Sequence, residues 1–339
     1  MPELRYNMVT RQWVIIASER ARRPEEFSQK EEKKPLPAYD PQCPFCPGNE
    51  AMTPPATLEF APRQGEGGRG AAGWQVRAVP NKFPALSAEG ELVRHKEGLK
   101  RTLTGVGIHE VIVETPVHNR TTALLTDEEM VQVLDAYQQR YRDISNDPRV
   151  AQITLFKNHG AAAGTSLEHP HSQLIGTPII PMEVRDRMET ALHFYDEEGE
   201  CLFCRTLEDE TEEGARVVLE GEHFTAFIPF AALSPFHTWI YPKRHSASFA
   251  AMNEAEKGDL ARILRRMLRK LHDGLGNPDF NYSIRSAPHD AAAVKYYHWY
   301  LSIVPRVTRL AGFELGSGMF INIALPEESA RFLRGVPTD

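Results

Sequence analysis

His109-Glu-Val-Ile-Val-Glu-Thr-Pro-Val-His118 and His237-Thr-Trp-Ile-Tyr-Pro-Lys-Arg-His245 follow one pattern. Each is an apolar, β-branched or aromatic run that ends at a proline with a histidine just beyond, which reads as a strand. A helix follows each. Thr126 with Glu129 three residues on is a capping-box signature, and Met130, Val133, Leu134, Tyr137 and Tyr141 then recur at helical spacing. Asn253 with Glu256 repeats the signature ahead of Leu260, Ile263, Leu264, Met267 and Leu271. The helices run out at Asn146-Asp147-Pro148 and Gly276-Asn277-Pro278. A short strand comes next, 151–156 or 281–285, and then a strand headed by histidine: His169-Pro-His171-Ser-Gln173 or His298-Trp-Tyr300-Leu-Ser302.

The chain is therefore read as a duplication. The expected fold class is α+β: two similar halves, each an antiparallel sheet with a packed helix, their sheets joined into one larger sheet or half-barrel. The halves divide near residue 190, giving an N-terminal domain 1–190 and a C-terminal domain 191–339. The acidic stretch 196–213 reads as polar loop, and 28–41 and 62–73 as charged or Gly-rich loops.

The four cysteines form two pairs of equal spacing, Cys43-Pro-Phe-Cys46 and Cys201-Leu-Phe-Cys204. A redox pair of this spacing usually opens a helix, whereas Cys46 runs into the turn Pro47-Gly48-Asn49. Two such pairs with histidines downstream favour zinc, which takes four N or S ligands. His118 and His169 complete the first set with Cys43 and Cys46. His245 and His298 complete the second with Cys201 and Cys204, with His237 and His289 as rival ligands. Closed Cys2His2 sites are structural, so zinc is not expected to be the catalyst.

Net charge −7 without a basic stripe argues against a nucleic-acid partner. The basic segment 262–270 lies on a helical pattern and reads as a solvated face. No apolar run approaches a membrane span and no leader pattern is seen, so a cytoplasmic protein without membrane contact is expected.

Residues two apart on a strand share a face, so His169, His171 and Gln173 point together. With His169 tied to metal, His171 is held rigidly beside it and stays available as nucleophile or general base. Gln173 offers a donor to a phosphoryl oxygen. The loop Asn158-His-Gly-Ala-Ala-Ala-Gly164-Thr-Ser166 offers backbone N–H groups and hydroxyls as an anion nest. In the second half the corresponding residue is Tyr300, so one active histidine per chain is expected.

His169-Pro-His171-Ser-Gln173 resembles the histidine-triad signature in its galactose-1-phosphate uridylyltransferase branch. The segments 5–14, Arg20-Ala-Arg-Arg23-Pro24, 114–119, 156–164 and Gly312-Phe313-Glu314 are similar to further blocks of that family, so the resemblance spans nearly the whole chain. It implies histidine-triad-like halves and a homodimer. It also implies that His171 takes a nucleotidyl group from a nucleoside diphosphate sugar and passes it to a sugar 1-phosphate or phosphate. Gln173 and Ser166 then contact the phosphoryl group and Asn158 the nucleotide. Gly164 lies in the same substrate loop, and Arg20, Arg23, Gly312 and Phe313 fall at further substrate contacts.

Three departures resemble an ADP-glucose phosphorylase-like subgroup: Ser172 in place of glycine, the second cysteine pair, and a C-terminal loop 313–322 lacking a glutamine. They leave uridine or adenosine, and the acceptor, open. The rival of another class is a zinc-stabilised nucleotide-binding protein without turnover.

Overall fold

The computed structural model describes residues 1–17, 23–28, 35–62 and 73–338. In the first half the principal elements are strands β1 (Glu3–Asn7), β2 (Gln12–Ile16), β3 (Leu58–Phe60), β4 (Val76–Pro80), the hairpin β5 (Arg94–Glu97) and β6 (Lys100–Leu103), and β7 (Ile108–Val113). Helix α1 (Asp127–Ser145) leads into β8 (Gln152–His159) and β9 (His171–Thr177). Helices α2 (Met182–Glu198) and α3 (Leu202–Glu213) come next. The second half then continues through β10 (Val217–Glu220), β11 (Phe224–Phe227), β12 (Thr238–Pro242), α4 (Glu254–Leu275), β13 (Phe280–Arg285) and β14 (Tyr300–Pro305). The chain closes with α5 (Gly312–Ser317), β15 (Phe320–Asn322) and α6 (Pro326–Gly335).

Ten strands form one open antiparallel sheet in the order β10-β11-β12-β14-β13-β8-β9-β7-β4-β3. The order is symmetric about the β13–β8 seam. Read outward from it, β8-β9-β7-β4-β3 mirrors β13-β14-β12-β11-β10. The duplication is thus spatial as well as sequential, and the two sheets join as expected. Both capping boxes form: the Thr126 and Asn253 side chains accept from the backbone N–H of Glu129 and Glu256, and those carboxylates accept in return. Helices α1 and α4 pack side by side on one face of the sheet over a continuous core that includes Val133, Tyr137, Leu174, Leu264, Ile284 and Leu301.

The other face is treated differently in the two halves. On the second half it is covered by α2 and α3, which pack Ala191, Leu202 and Phe203 onto Trp239, Tyr241 and Tyr300. The acidic stretch read as loop is therefore helical, and residue 190 lies within α2. Its charges misled because they are the exposed faces of helices whose apolar residues lie between them. Similarly, Lys270 in the basic segment is not solvated. It is buried and donates to the Val336 and Arg334 carbonyls, tying α4 to α6. No helix among the described residues is long and apolar enough to cross a membrane.

Candidate active site and its metal clusters

Strand β9 begins at His171, so the residues before it, His169 and Pro170, form its entry rather than part of its ladder. This entry lies beside the end of β7, where the Glu114 N–H donates to the Pro170 carbonyl. His118 and the turn that follows β7 arrive at the same point. The Cys43 and Cys46 thiols meet the two imidazoles there. Cys46 Sγ lies 3.5 Å from His118 Nδ1 and 3.7 Å from His169 Nδ1, and Cys43 Sγ lies 3.7 Å from His169 Nδ1. His169 Nε2–H donates to the Thr115 carbonyl at 2.8 Å, which leaves Nδ1 with a lone pair aimed at the thiols. All four residues are buried, and their ligand atoms lie within 4.8 Å of one another.

The second cluster repeats the arrangement. Cys204 Sγ is 3.3 Å from His245 Nδ1 and 3.4 Å from His298 Nδ1, and Cys201 completes the group. The rival His237 is engaged elsewhere, bonded to Ser302 Oγ and Trp239 Nε1. His289 lies on a separate 3-10 turn. The Cys201 pair caps and opens α3, whereas the Cys43 pair sits in a turn. Each cluster offers two sulfur and two nitrogen donors, a set that fits a tetrahedral, borderline-soft cation, so both clusters are able to hold a metal ion.

His171 belongs to neither cluster. Its Nδ1–H donates to the His169 carbonyl at 2.8 Å, which fixes the tautomer and leaves Nε2 with its lone pair. Burial pushes its pKa below the ordinary value, against the opposing effect of that carbonyl. Phe45, between the two cysteines of the first pair, packs on the imidazole with ring centroids 5.3 Å apart. The metal turn therefore buttresses the free histidine.

Gln173 stands two residues on. Its Oε1 accepts from His109 Nε2 at 2.8 Å, and His109 Nδ1 accepts from the Ala85 N–H at 3.1 Å. That chain sets the amide orientation and directs the Gln173 N–H groups away from His109. His109 served only as a landmark of the repeat in the sequence. Its place diagonal to Gln173 across the β7–β9 ladder is the signal that identifies it.

The loop after β8 is built across the seam. Asn281 of β13 donates to Asn158 Oδ1 and to the Ala163 carbonyl, both at 2.8 Å, while Arg306 Nε holds Asn281 Oδ1 at 2.5 Å. Asp279 accepts from the Ala162 N–H at 2.6 Å. The N–H groups of Ala163, Gly164 and Thr165 also donate within the loop. The expected anion nest is corrected accordingly: an internal carboxylate and local carbonyls take these N–H groups. Gly164 and Ser166 are exposed at the loop's rim, and Gly164 adopts φ +86.

Arg23 is exposed at the start of the 24–27 turn, and Arg20 lies outside the described residues. Gly312 and Phe313 open helix α5 rather than a loop, packed on β15 of the three-stranded sheet β1-β2-β15, so they share no sheet with His171. Ser172 points away from His171 to the helical face, where it donates to Glu114 and meets Tyr137 Oη at 2.5 Å. It is no substrate contact, so its departure from glycine carries no direct information on the base.

Residues 1–181 match the N-terminal domain of galactose-1-phosphate uridyl transferase, and residues 187–315 match its C-terminal domain. The ADP-glucose phosphorylase of Arabidopsis thaliana is 35% identical over 99% of this chain and 93% of its own length. The galactose-1-phosphate uridylyltransferase of Thermotoga maritima is 31% identical over 98% of each. A crystal structure of an Arabidopsis thaliana ADP-glucose phosphorylase with bound ADP-glucose superposes with a TM-score of 0.82 at 31% identity, each chain covered in full. Two halves arranged about one seam, a Cys2His2 cluster in each, and these matches along nearly the full length place the chain in the galactose-1-phosphate uridyl transferase family.

Proposed function

We propose that this chain moves a nucleoside monophosphate between a nucleoside diphosphate sugar and a sugar 1-phosphate by way of a covalent adduct on His171. Its Nε2 attacks the α-phosphorus, the bond from that phosphorus to the bridging oxygen breaks, and the sugar 1-phosphate leaves with the electron pair. A phosphate oxygen of the acceptor then attacks the same phosphorus and Nε2 leaves. The observation that supports this most is the His171 Nδ1–H bond to the His169 carbonyl, which presents Nε2 as the bare lone pair on a rigid strand entry. The Gln173 amide, oriented by His109, is the donor best placed to stabilise charge on the phosphoryl oxygens. Ser166 joins Gln173 at the phosphoryl group, Asn158 contacts the nucleotide, Gly164 lies in the same substrate loop, and Arg20, Arg23, Gly312 and Phe313 remain further substrate contacts in this reading.

Zinc is the ion we assign to both clusters. Cys43, Cys46, His118 and His169 would hold one, and Cys201, Cys204, His245 and His298 the other. With all four positions taken by protein, its contribution is folding energy and rigidity. The boundary near residue 190, a homodimer by analogy with the family, and a cytoplasmic location complete the proposal.

A second reading, an ADP-sugar phosphorylase with phosphate as acceptor, is favoured by the 35% identity to the plant ADP-glucose phosphorylase over nearly the whole chain. One experiment tests both. Pure protein is incubated with UDP-glucose or ADP-glucose without acceptor and analysed by intact-mass spectrometry and peptide mapping. A gain of one nucleoside monophosphate on His171 is expected, and its mass names the base. An adduct on another residue, or no adduct with either sugar nucleotide, overturns the proposal.

A further inference from the structure

Directly beneath His171, on the opposite face of the sheet, lies a buried polar cluster that the reaction outlined above does not use. Lys157 and Glu114 are both fully buried, with Lys157 Nζ 2.8 Å from Glu114 Oε2. Lys157 Nζ also donates to the His171 backbone carbonyl at 3.1 Å. Glu114 accepts from Thr122 Oγ1 and Tyr137 Oη at 2.7 Å, and from Ser172 Oγ. Tyr282, contributed by the second half and opposite Lys157 in the β13–β8 ladder, joins Tyr137 Oη at 2.5 Å. Burial pushes the Glu114 carboxyl up, but Lys157 and the hydroxyl donors outweigh it and hold the group down at about 2.

The duplicated architecture indicates whether the fold needs this cluster. The register pairs Ile112 with Ser172 in the first half and Ile240 with Leu301 in the second, so Leu301 occupies the place of Ser172. Phe156 opposes Gln173 as Ser283 opposes Ser302, which puts Ile284 in the place of Lys157. Tyr137 lies eleven residues after its N-cap Thr126, and Leu264 lies eleven after Asn253. Leu301, Ile284 and Leu264 are all buried in the common core. The same sheet-and-helix unit therefore packs with apolar residues where no nucleophile stands above it. A buried ion pair is weak evidence for stability, since apolar replacement often stabilises a fold. Its presence under only one of two equivalent strands points to the site.

We propose that Lys157 and Glu114 are positioning residues. Lys157 anchors the His171 carbonyl and Glu114 anchors Ser172, so the first two residues of β9 are pinned from below while Nε2 projects above. Together with the His169 metal ligand this leaves the nucleophile no freedom to slide along the ladder. The inference rests on His171 being the nucleophile.

The test is single-turnover formation of the nucleotidyl adduct by the full-length, metal-loaded protein and by the Lys157→Met/Glu114→Gln double variant. That variant keeps the side-chain volumes but removes both charges together. The donor is UDP-glucose or ADP-glucose, whichever labels the parent. Expected is a fall of at least tenfold in the adduct-formation rate, with KM within threefold, melting temperature within a few degrees, and two metal ions retained. A rate within twofold of the parent, or a loss carried wholly by KM, makes the pair purely structural and overturns the proposal. Should the double variant fail to fold, Tyr137→Phe, which removes one network hydroxyl, decides: a fall of at least threefold in rate at unchanged KM upholds the proposal and an unchanged rate overturns it. Absence of any adduct on the parent instead refutes the nucleophile assignment, so the two failures are distinguishable.

Discussion

Gly160→Ala is a severe test of how the loop after β8 is held. Gly160 sits at φ +83, ψ +161, a region of backbone space essentially restricted to glycine. A methyl group added there would lie 1.9 Å from Asp279 Oδ1 and 2.1 Å from its Cγ, far inside contact distance. The backbone term costs about 1–3 kcal/mol. Displacing Asp279 also breaks its 2.6 Å bond from the Ala162 N–H, and hydrogen bonds to charged groups contribute about 1.5–3 kcal/mol. The total is about 4 kcal/mol. If the loop stays in place, the melting temperature falls by on the order of 10 °C. If it relaxes locally instead, the competent conformation becomes rare and kcat/KM falls by up to about 10³. Thermal melts and steady-state kinetics on the same preparation separate the two. The Asp279→Ala change in the Gly160→Ala background should recover at least about 1 kcal/mol as coupling, because it removes the clash. A Gly160→Ala protein whose melting temperature stays within 2 °C and whose kcat/KM stays within threefold of the parent would refute the account of a loop pinned across the seam.

His171→Gly should lower turnover by about 10⁴ or more while both metal ions and the fold remain, as checked by kinetics and metal analysis; loss of metal from the first cluster would contradict the division between His169 and His171. Cys43→Ser and Cys201→Ser each leave an incomplete donor set, with the buried Cys46 or the half-buried Cys204 thiol unpaired, so soluble yield and metal content should fall together, and a metal analysis finding no zinc in the parent protein would end that assignment. The Glu114 carboxyl, held at about 2 against an ordinary 4.5 by Lys157 and its hydroxyl donors, contributes stability that is full above pH 4.5 and is lost as pH falls toward 2. Melting temperature against pH should therefore fall more steeply over that window in the parent than in Lys157→Met/Glu114→Gln, and parallel curves would contradict it.

What could be read in the sequence is what local chemistry determines. The two capping boxes and the two strand runs are each properties of a few neighbouring residues, and they form, although β7 stops at Val113, short of Pro116, while β12 runs to Pro242. The Cys2His2 sets were legible because duplication supplied two copies of the same spacing. Several other features depended on pairings between distant segments. Ser172 alternates with its neighbours, but only the β7–β9 register shows that it faces Glu114 rather than substrate. Lys157 reads as a surface lysine until β8 is placed in the middle of a ten-stranded sheet. Tyr137 fits an apolar helical stripe, and nothing in that spacing reveals that its hydroxyl meets a carboxylate. The acidic segment failed for a different reason: composition outweighed the apolar spacing of Leu202, Phe203 and Leu207, the residues that α3 buries.

The symmetry of the sheet and the asymmetry of its chemistry fit together. The second half has filled the face equivalent to that of His171 with Tyr300, Tyr241, Trp239 and Phe203 beneath α2 and α3, which gives that half a second apolar core. Yet its inner strand does not become inert. β13 delivers Tyr282 to the buried cluster under His171, Asn281 to Asn158 and the Ala163 carbonyl, and, from just before its first residue, Asp279 to the Ala162 N–H. Those contacts are available only because β8 and β13 are adjacent at the seam. A lone first half would expose the β8 edge and lose the loop's three anchors with it. The second half is therefore the wall against which the loop after β8 and the buried cluster under His171 are assembled.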